Sequence, residues 1–329
     1  MALTAEELDK RIIRYAELVP CRTAFIDAHT PGSDQKENFT IIGAGVSESP
    51  DQHVHLADTP GFNIGAAGQP PKCRNSLHTH RTAEVFFVLS GRWRFFWGRW
   101  GDAGDVTLEA GDIINLPTGM FRGFENIGTD YGMIMAVLGG DDAGGGVLWA
   151  PQVLEEATAH GLILGENGVL YDTKKGERLP ADIAPMKALP DAELDKLIEP
   201  SVSEVIRDFV ARFSDLYDLS AEKPVQVLGK DGLLFDRPGF EIDFISDRTG
   251  AQDMITATSH HILMGMTGHW SVLIDGHKRH LSPGDTIAIP PQSSYQMAPA
   301  MSGEASLYRI AGTDDPAGPT WHRAEKAAH

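Results

Sequence analysis

From Leu77 to Gly91 the chain reads Leu-His-Thr-His-Arg-Thr-Ala-Glu-Val-Phe-Phe-Val-Leu-Ser-Gly. Side chains alternate faces along a strand, so His78 and His80 leave the same side and Glu84 shares their parity. An apolar run, Val85 to Leu89, follows directly and ends at a glycine. Two imidazoles and a carboxylate converging on one face suit a divalent transition metal. The surrounding chain has to supply the strands that enclose them.

It contains many such strands. Residues 77–138 hold Val85–Leu89, Trp93–Trp97, Asp112–Leu116 and Met133–Leu138, separated by glycine turns in the spacing of an antiparallel sandwich or barrel. Asp141–Gly146 is a Gly-rich break. Between 150 and 220 the pattern changes. Ser201 and Glu204 cap a segment whose Val202, Val205, Ile206, Phe209 and Phe213 form one apolar helical stripe, and Asp191–Ile198 reads as a shorter helix. Strand-like runs return from 224 to 312, and the polar tail beyond Asp314 reads as loose. At the N-terminus Thr4 and Glu7 form a capping box ahead of Leu8, Ile12, Tyr15 and Ala16, which predicts a helix over 5–18. The expected organisation is a helix and first barrel over 1–149, a helical connector over 150–220, a second barrel over 221–314 and a tail over 315–329.

A length of 329 residues allows two sizeable cores. With 28 basic against 46 acidic side chains the net charge is −18, which repels phosphate backbones and anionic lipid. Nucleic acid and membrane are therefore excluded as main partners, and a small molecule is expected. Cys21 and Cys73 lack a Cys-x-x-Cys spacing and read as free thiols in a reducing compartment. No signal-peptide pattern opens the chain and no apolar run nears the ~18 residues of a membrane span, so a soluble cytoplasmic protein is expected. His53-Val54-His55 is a second His-x-His, but no acidic residue and apolar run follow it. It reads as exposed strand or loop.

Two segments share their punctuation. Gly91 and Gly276 each close an apolar strand, while Ala110-Gly111-Asp112 and Pro283-Gly284-Asp285 each lead to a proline, Pro117 and Pro290. The ordered set implies a duplicated barrel. The first copy resembles the cupin superfamily: His78, His80, Glu84 and Gly91 match the first half of its signature, and Gly111, Pro117, Gly119 and Asn126 match the second. The resemblance covers about 60–140 through the motif and 240–312 through turns only. It implies a mainly β chain of two tandem cupin barrels (double-stranded β-helix or jelly roll), a bicupin similar in architecture to gentisate and quercetin dioxygenases, and chains that pair as homo-oligomers. Two positions depart from the signature. Lys72 replaces a glycine, and Arg122 stands where the family has its third metal-binding histidine. In the second copy the same counting puts His269 at the glutamate position, Leu263 and Met264 near the histidine positions and Tyr295 at the third-histidine position. Adjacent His260 and His261 would face opposite sides of a strand, and His277 and His280 flank a turn. No metal is expected there.

The resemblance implies His78, His80 and Glu84 as ligands of a divalent metal, Fe(II) first, with Mn, Ni or Zn as other occupants. Arg122 would then hold a substrate carboxylate or phenolate through its forked donors, in a dioxygenase-like reaction on a small anionic, hydroxylated or carboxylated compound. Phe86, Trp93, Phe95, Trp97 and Phe121 would suit an aromatic guest, although core packing explains them equally well. The alternative needs no metal: Arg122 pairs with Glu84, occupies the metal position itself, and leaves a barrel that binds or isomerises a small anion. A purely structural or storage bicupin would carry no pocket chemistry in either barrel.

Overall fold

The computed structural model describes residues 2–82, 84–140, 146–235 and 239–313. The Gly-rich break at 141–145 and the polar tail beyond residue 313 lie outside the described residues. Strands dominate, and they form two tandem barrels, each made of a longer and a shorter sheet. No helix of the described residues is long and apolar enough to cross a membrane.

In the first barrel the longer sheet places Glu84–Ser90 between Ile113–Leu116 and Gly132–Gly139, followed outward by Phe62–Gln69 and Glu37–Ile42. The facing sheet runs Leu148–Trp149, Arg74–Thr79, Arg122–Asn126, Arg92–Trp97 and Gly104–Glu109. Phe86, Val88, Trp93, Phe95, Ile114, Leu116, Phe124 and Ile134 fill the space between them. The outer face of the longer sheet is buried too. Val85, Phe87, Met133, Met135 and Val137 pack against Ile242, Phe244, Ile262, Met264 and Tyr308 of the second barrel. The Phe87 and Tyr308 rings lie 4.5 Å apart. Burial on both faces explains the unbroken run Val85–Leu89, where a half-exposed strand would alternate polar and apolar. Each such side chain contributes roughly 1.5–3 kcal/mol.

The second barrel repeats the plan. Its longer sheet orders Ile12–Ile13, Thr286–Ile289, His261–Thr267, Ser306–Gly312, Phe240–Ser246 and Val225–Leu228. Its shorter sheet orders Ile255–Thr256, Ser294–Pro299, Trp270–Ile274 and His277–Leu281. The turn equivalent to Gly91 is Gly268 and not Gly276: each follows the strand that pairs with the Asp112 or Asp285 turn. Gly276 closes the next hairpin, whose positive φ gives it the same sequence signature.

The N-terminal helix is shorter than its periodicity suggests. The Thr4–Glu7 capping box starts a helix at Ala5 that ends at Asp9. Ile12 and Ile13 then pair as a strand with Thr286 and Ile287. Their β-branched side chains serve the second barrel's edge in extended form, which outweighs the helical spacing. The connector is also less helical than expected. Helix Pro151–Ala159 leads into a hairpin of Leu162–Leu164 and Leu170–Asp172, and helix Val202–Phe209 breaks at the strand Val210–Ala211 before helix Phe213–Leu219. Val205 and Phe209 are buried, whereas Val202 and Ile206 are exposed.

Two segments follow one design. A capped helix, a two-residue strand and an Arg-aromatic pair occur at Thr4–Tyr15 and again at Ser201–Phe213. The first docks on the second barrel and the second on the first. Asp285 accepts from Arg14 Nη1 at 2.7 Å, from Tyr15 N at 2.9 Å and from Ser282 N at 3.0 Å. Asp112 accepts from Arg212 Nη1 at 2.7 Å, from Phe213 N at 2.9 Å and from Glu109 N at 3.0 Å. Gly284 and Gly111 keep the turns flat, since a Cβ there would stand 2.6 Å from Tyr15 and 2.5 Å from Phe213.

Each clasp strands several donors if its aspartate is removed, and hydrogen bonds to a charged partner contribute more than neutral ones. Asp285→Ala and Asp112→Ala are each expected to lower the urea-unfolding free energy by roughly 2 kcal/mol. A loss below about 0.5 kcal/mol, the size of an ordinary surface substitution, would mean that the clasps do not hold the barrels.

Candidate metal centre in the first barrel

Strand register assembles the site. His78 lies opposite Arg122 on one side and Trp149 on the other, and Glu84 opens the neighbouring sheet's central strand opposite Leu116 and Leu138. One ligand atom from each of His78, His80 and Glu84 falls within 4.8 Å of the other two, and all three residues are buried. His78 and His80 come from one strand end, and Glu84 reaches them from the opposed sheet.

Both imidazoles are oriented by the backbone. His78 Nδ1 bonds Ser76 O at 2.7 Å and His80 Nδ1 bonds Gly146 O at 3.0 Å. A carbonyl can only accept, so each Nδ1 carries the proton and each Nε2 keeps its lone pair. Burial, reinforced by Arg122 and by His80, holds His78 well below its ordinary pKa. Burial also takes His80 down to about 4, against the pull of Glu84. Both rings are neutral at pH 7 and ready to ligate.

Arg122 is 1% exposed and faces the same centre. Its Nη2 donates to Glu84 Oε2 at 2.5 Å and its Nη1 to His78 O at 3.1 Å, while Nε has no partner. Burial lowers its pKa and Glu84 opposes that shift. Pairing with Glu84, one of the two roles open in the sequence, is the one this side chain adopts. The carboxylate is divided between two neighbours: Oε2 lies on Arg122, and Oε1 faces His80 Nε2 at 3.7 Å. Two neutral nitrogens and a free carboxylate oxygen are the donor types a divalent transition ion takes. The residues present therefore fit such an ion.

A second layer was not legible in the sequence. Trp149 lies 5.3 Å from the His78 ring and donates Nε1 to Glu48 Oε1 at 2.6 Å. Glu48 also accepts from Ile26 N at 2.9 Å, and burial pushes its pKa up to about 8. Asp27, ion-paired with buried Lys36, accepts from Ser76 N at 3.0 Å and so braces the strand that carries His78. These residues come from separate segments and share no spacing with the triad. Trp149 had only its aromatic character to mark it.

A cavity of about 80 Å³ opens beside the triad. Apolar walls come from Phe25, Phe86, Phe124, Leu138, Val147 and Trp149, and Gly65 and Ala136 leave the room. Of the aromatic residues named from the sequence, Phe86 lines it; Trp93, Phe95 and Trp97 belong to the packed core, and Phe121 to a separate cluster beneath Trp149.

The other histidines have other tasks. His55 uses both ring nitrogens, on Thr40 O at 2.6 Å and Val19 N at 3.0 Å, and so pins a strand edge. In the second barrel, register puts Ile255 and Ala257 at the positions of His78 and His80, because Ile255 pairs with Tyr295 as His78 pairs with Arg122. The glutamate position belongs to His261, not His269, since the strand count runs from Gly268. Tyr295 sits at the Arg122 position as expected, and His261 Nδ1 bonds its hydroxyl at 2.7 Å. Among the described residues, the His78, His80 and Glu84 cluster is the one with metal-ligating geometry.

Two predictions follow from burial. Arg122→Met leaves Glu84 buried without its cation and is expected to cost the metal-free protein roughly 3–5 kcal/mol in urea unfolding; a loss under ~1 kcal/mol would show that water already screens the pair. Burial pushes His261 down to about 4. It is neutral when folded and takes up a proton near its ordinary value when unfolded. Its contribution is therefore complete above about pH 6.5 and lost as pH falls towards 4. His261→Gln is expected to flatten the acid side of the stability profile by up to roughly 3 kcal/mol. An unchanged slope between those pH values would place the titration elsewhere.

The cupin domain family matches residues 68–138, the strands that carry the triad and Arg122. No curated protein matches the chain. An oxalate decarboxylase from Lactobacillus farciminis, solved as its formate complex, aligns at a TM-score of 0.52 and 13% identity, over 96% of this chain and 89% of its own. Procruciferin, an 11S globulin from Brassica napus, aligns at 0.52 and 15% identity, over 89% and 83%. Likeness at such identities speaks for the fold, and it spans both barrels. Residues 68–138 thus match the cupin domain family, and the fold of the whole chain, two tandem barrels, is that of these two-barrel structures.

Proposed function

We propose that the first barrel is a metal-dependent, dioxygenase-like centre acting on a small hydroxylated or carboxylated substrate. The observation that carries this reading is the division of Glu84. Arg122 takes one carboxylate oxygen and leaves the other beside His80 Nε2. His78, His80 and Glu84 would hold the ion, and three protein donors leave positions open for O2 and a chelating substrate. When bound, Fe(II) supplies Lewis acidity and one-electron chemistry with O2; Mn, Ni or Zn also suit the donors.

The chain's own residues do the rest. The Ser76 and Gly146 carbonyls hold each imidazole in the tautomer that ligates. Arg122 orients Glu84 and is a positioning residue. Trp149, Phe86 and Phe124 exclude water from the reacting volume, which strengthens every electrostatic contact inside it. A second reading, a metal-free barrel that binds or isomerises a small anion, is favoured by the same 2.5 Å contact between Arg122 and Glu84.

Metal content separates the two. Protein purified without chelator is expected to carry about one equivalent of transition metal, lost in the Glu84→Ala variant. Less than about a tenth of an equivalent, unchanged by added Fe(II), Mn(II) or Ni(II), would leave only the metal-free reading standing.

A further inference from the structure

Across the cavity from the triad stands the strand Glu37–Ile42. Asn38 and Thr40 pair with Ala67 and Gly65, which pair in turn with Ile134 and Ala136, and these with Val88 and Phe86. That row shares the inward face of Glu84, so Asn38 and Thr40 point into the barrel. Thr40 Oγ1 is committed to Gln52 Oε1 at 2.8 Å. Asn63, on the same wall, uses both ends of its amide, on Gly140 O and Gly45 N. Asn38 differs. It is 9% exposed and lines the cavity, and its Nδ2 has no partner. Among the described lining residues it is the one with a buried, unsatisfied side-chain polar atom.

A buried amide donor without an acceptor costs a protein its full desolvation. Packing does not need it, because the neighbouring wall positions are Ala67 and Gly65. The lining contains no Lys or Arg, and Arg122 is turned to Glu84 and His78 O. A carboxylate at this end of the cavity would be buried without a cation, which is far costlier than burying a neutral oxygen. A carbonyl or hydroxyl oxygen would satisfy the amide at no such cost.

We propose that Asn38 is a specificity-determining donor, which binds an uncharged carbonyl or hydroxyl oxygen at the far end of a substrate whose chelating end lies at His78, His80 and Glu84. The proposal rests on the metal-centre reading and adds the substrate class: compounds with one chelating end, an apolar middle and a neutral distal acceptor. Compounds with a carboxylate at both ends are rejected.

The test uses full-length, metal-loaded protein and 2-hydroxycarboxylates of five to seven carbons, each in three forms: unsubstituted, with a keto group on the penultimate carbon, and with a second terminal carboxylate. Calorimetric titration is expected to rank the keto form at least about tenfold above the unsubstituted one, with the dicarboxylate weakest. Asn38→Leu is expected to bring the keto preference to near unity while leaving metal stoichiometry unchanged. Without ligand, Asn38→Leu is also expected to raise the melting temperature, since it removes an unpaired buried donor. A keto preference that survives Asn38→Leu, or a dicarboxylate that binds best, overturns the proposal while the metal centre stands. A lowered melting temperature in the variant overturns it as well, for Asn38 would then be part of the packing. Failure of the wild type to take up metal overturns the metal-centre reading and this inference with it.

Discussion

The strand Glu84–Ser90 is buried on both faces, and the first barrel depends on that constraint. Phe86 and Val88 point into the barrel, and Val85 and Phe87 point into the interface with the second. A slip of one residue would exchange the two sets and turn Glu84 away from the histidines. Neither core would tolerate it, because both are filled by large rings and branched chains. Packing therefore fixes the position of the carboxylate before any charge is considered. The clasps on Asp112 and Asp285 act at the same level, since each ties the segment leading into one barrel to the other.

Within that frame Arg122 decides what the site can do. A guanidinium and a dication about 4 Å apart repel by several kcal/mol even at an effective dielectric near 20. A carboxylate between them reverses the sign of the nearest contacts, and Glu84 offers one oxygen to each side. An uncompensated buried Arg or Glu would cost more than the pair returns, so removing either Arg122 or Glu84 alone destabilises the site. The arginine consumes half of the carboxylate's capacity and in exchange sets its direction. This is why a buried cation can stand beside His78, His80 and Glu84 without dispersing their cluster.

The sequence was legible where spacing and chemistry coincide. His78, His80 and Glu84 share a parity, Arg122 and Tyr295 fall at counted distances from turns, and both capping boxes start helices. It was less legible where one signal has two sources. Gly268 and Gly276 both take positive φ after short strands, so punctuation alone matched the wrong one and displaced His261 by a hairpin. Ile12 and Ile13 fit a helical stripe and an edge strand equally, and only the second barrel's open edge decides between them. Glu48, Trp149 and Asn38 reach the site from three separate segments, and nothing local marks them.

The duplication also shows how the interiors of the two barrels differ. In the first, Gly65 pairs with Ala136, and the two leave space beside Phe86. The equivalent pair in the second barrel is Asp243 with Arg309, beside Leu263. Arg309 Nε donates to Asp243 at 3.1 Å, and fully buried Tyr295 lies beside Arg309. An ion pair fills the volume that a glycine and an alanine leave empty in the first copy. Ile255 and Ala257 complete the change by replacing both imidazoles with hydrocarbon. The same backbone thus encloses a cavity or a cross-strand ion pair according to the size of two cross-strand partners. The second copy supplies the apolar outer face against which the first is held in register.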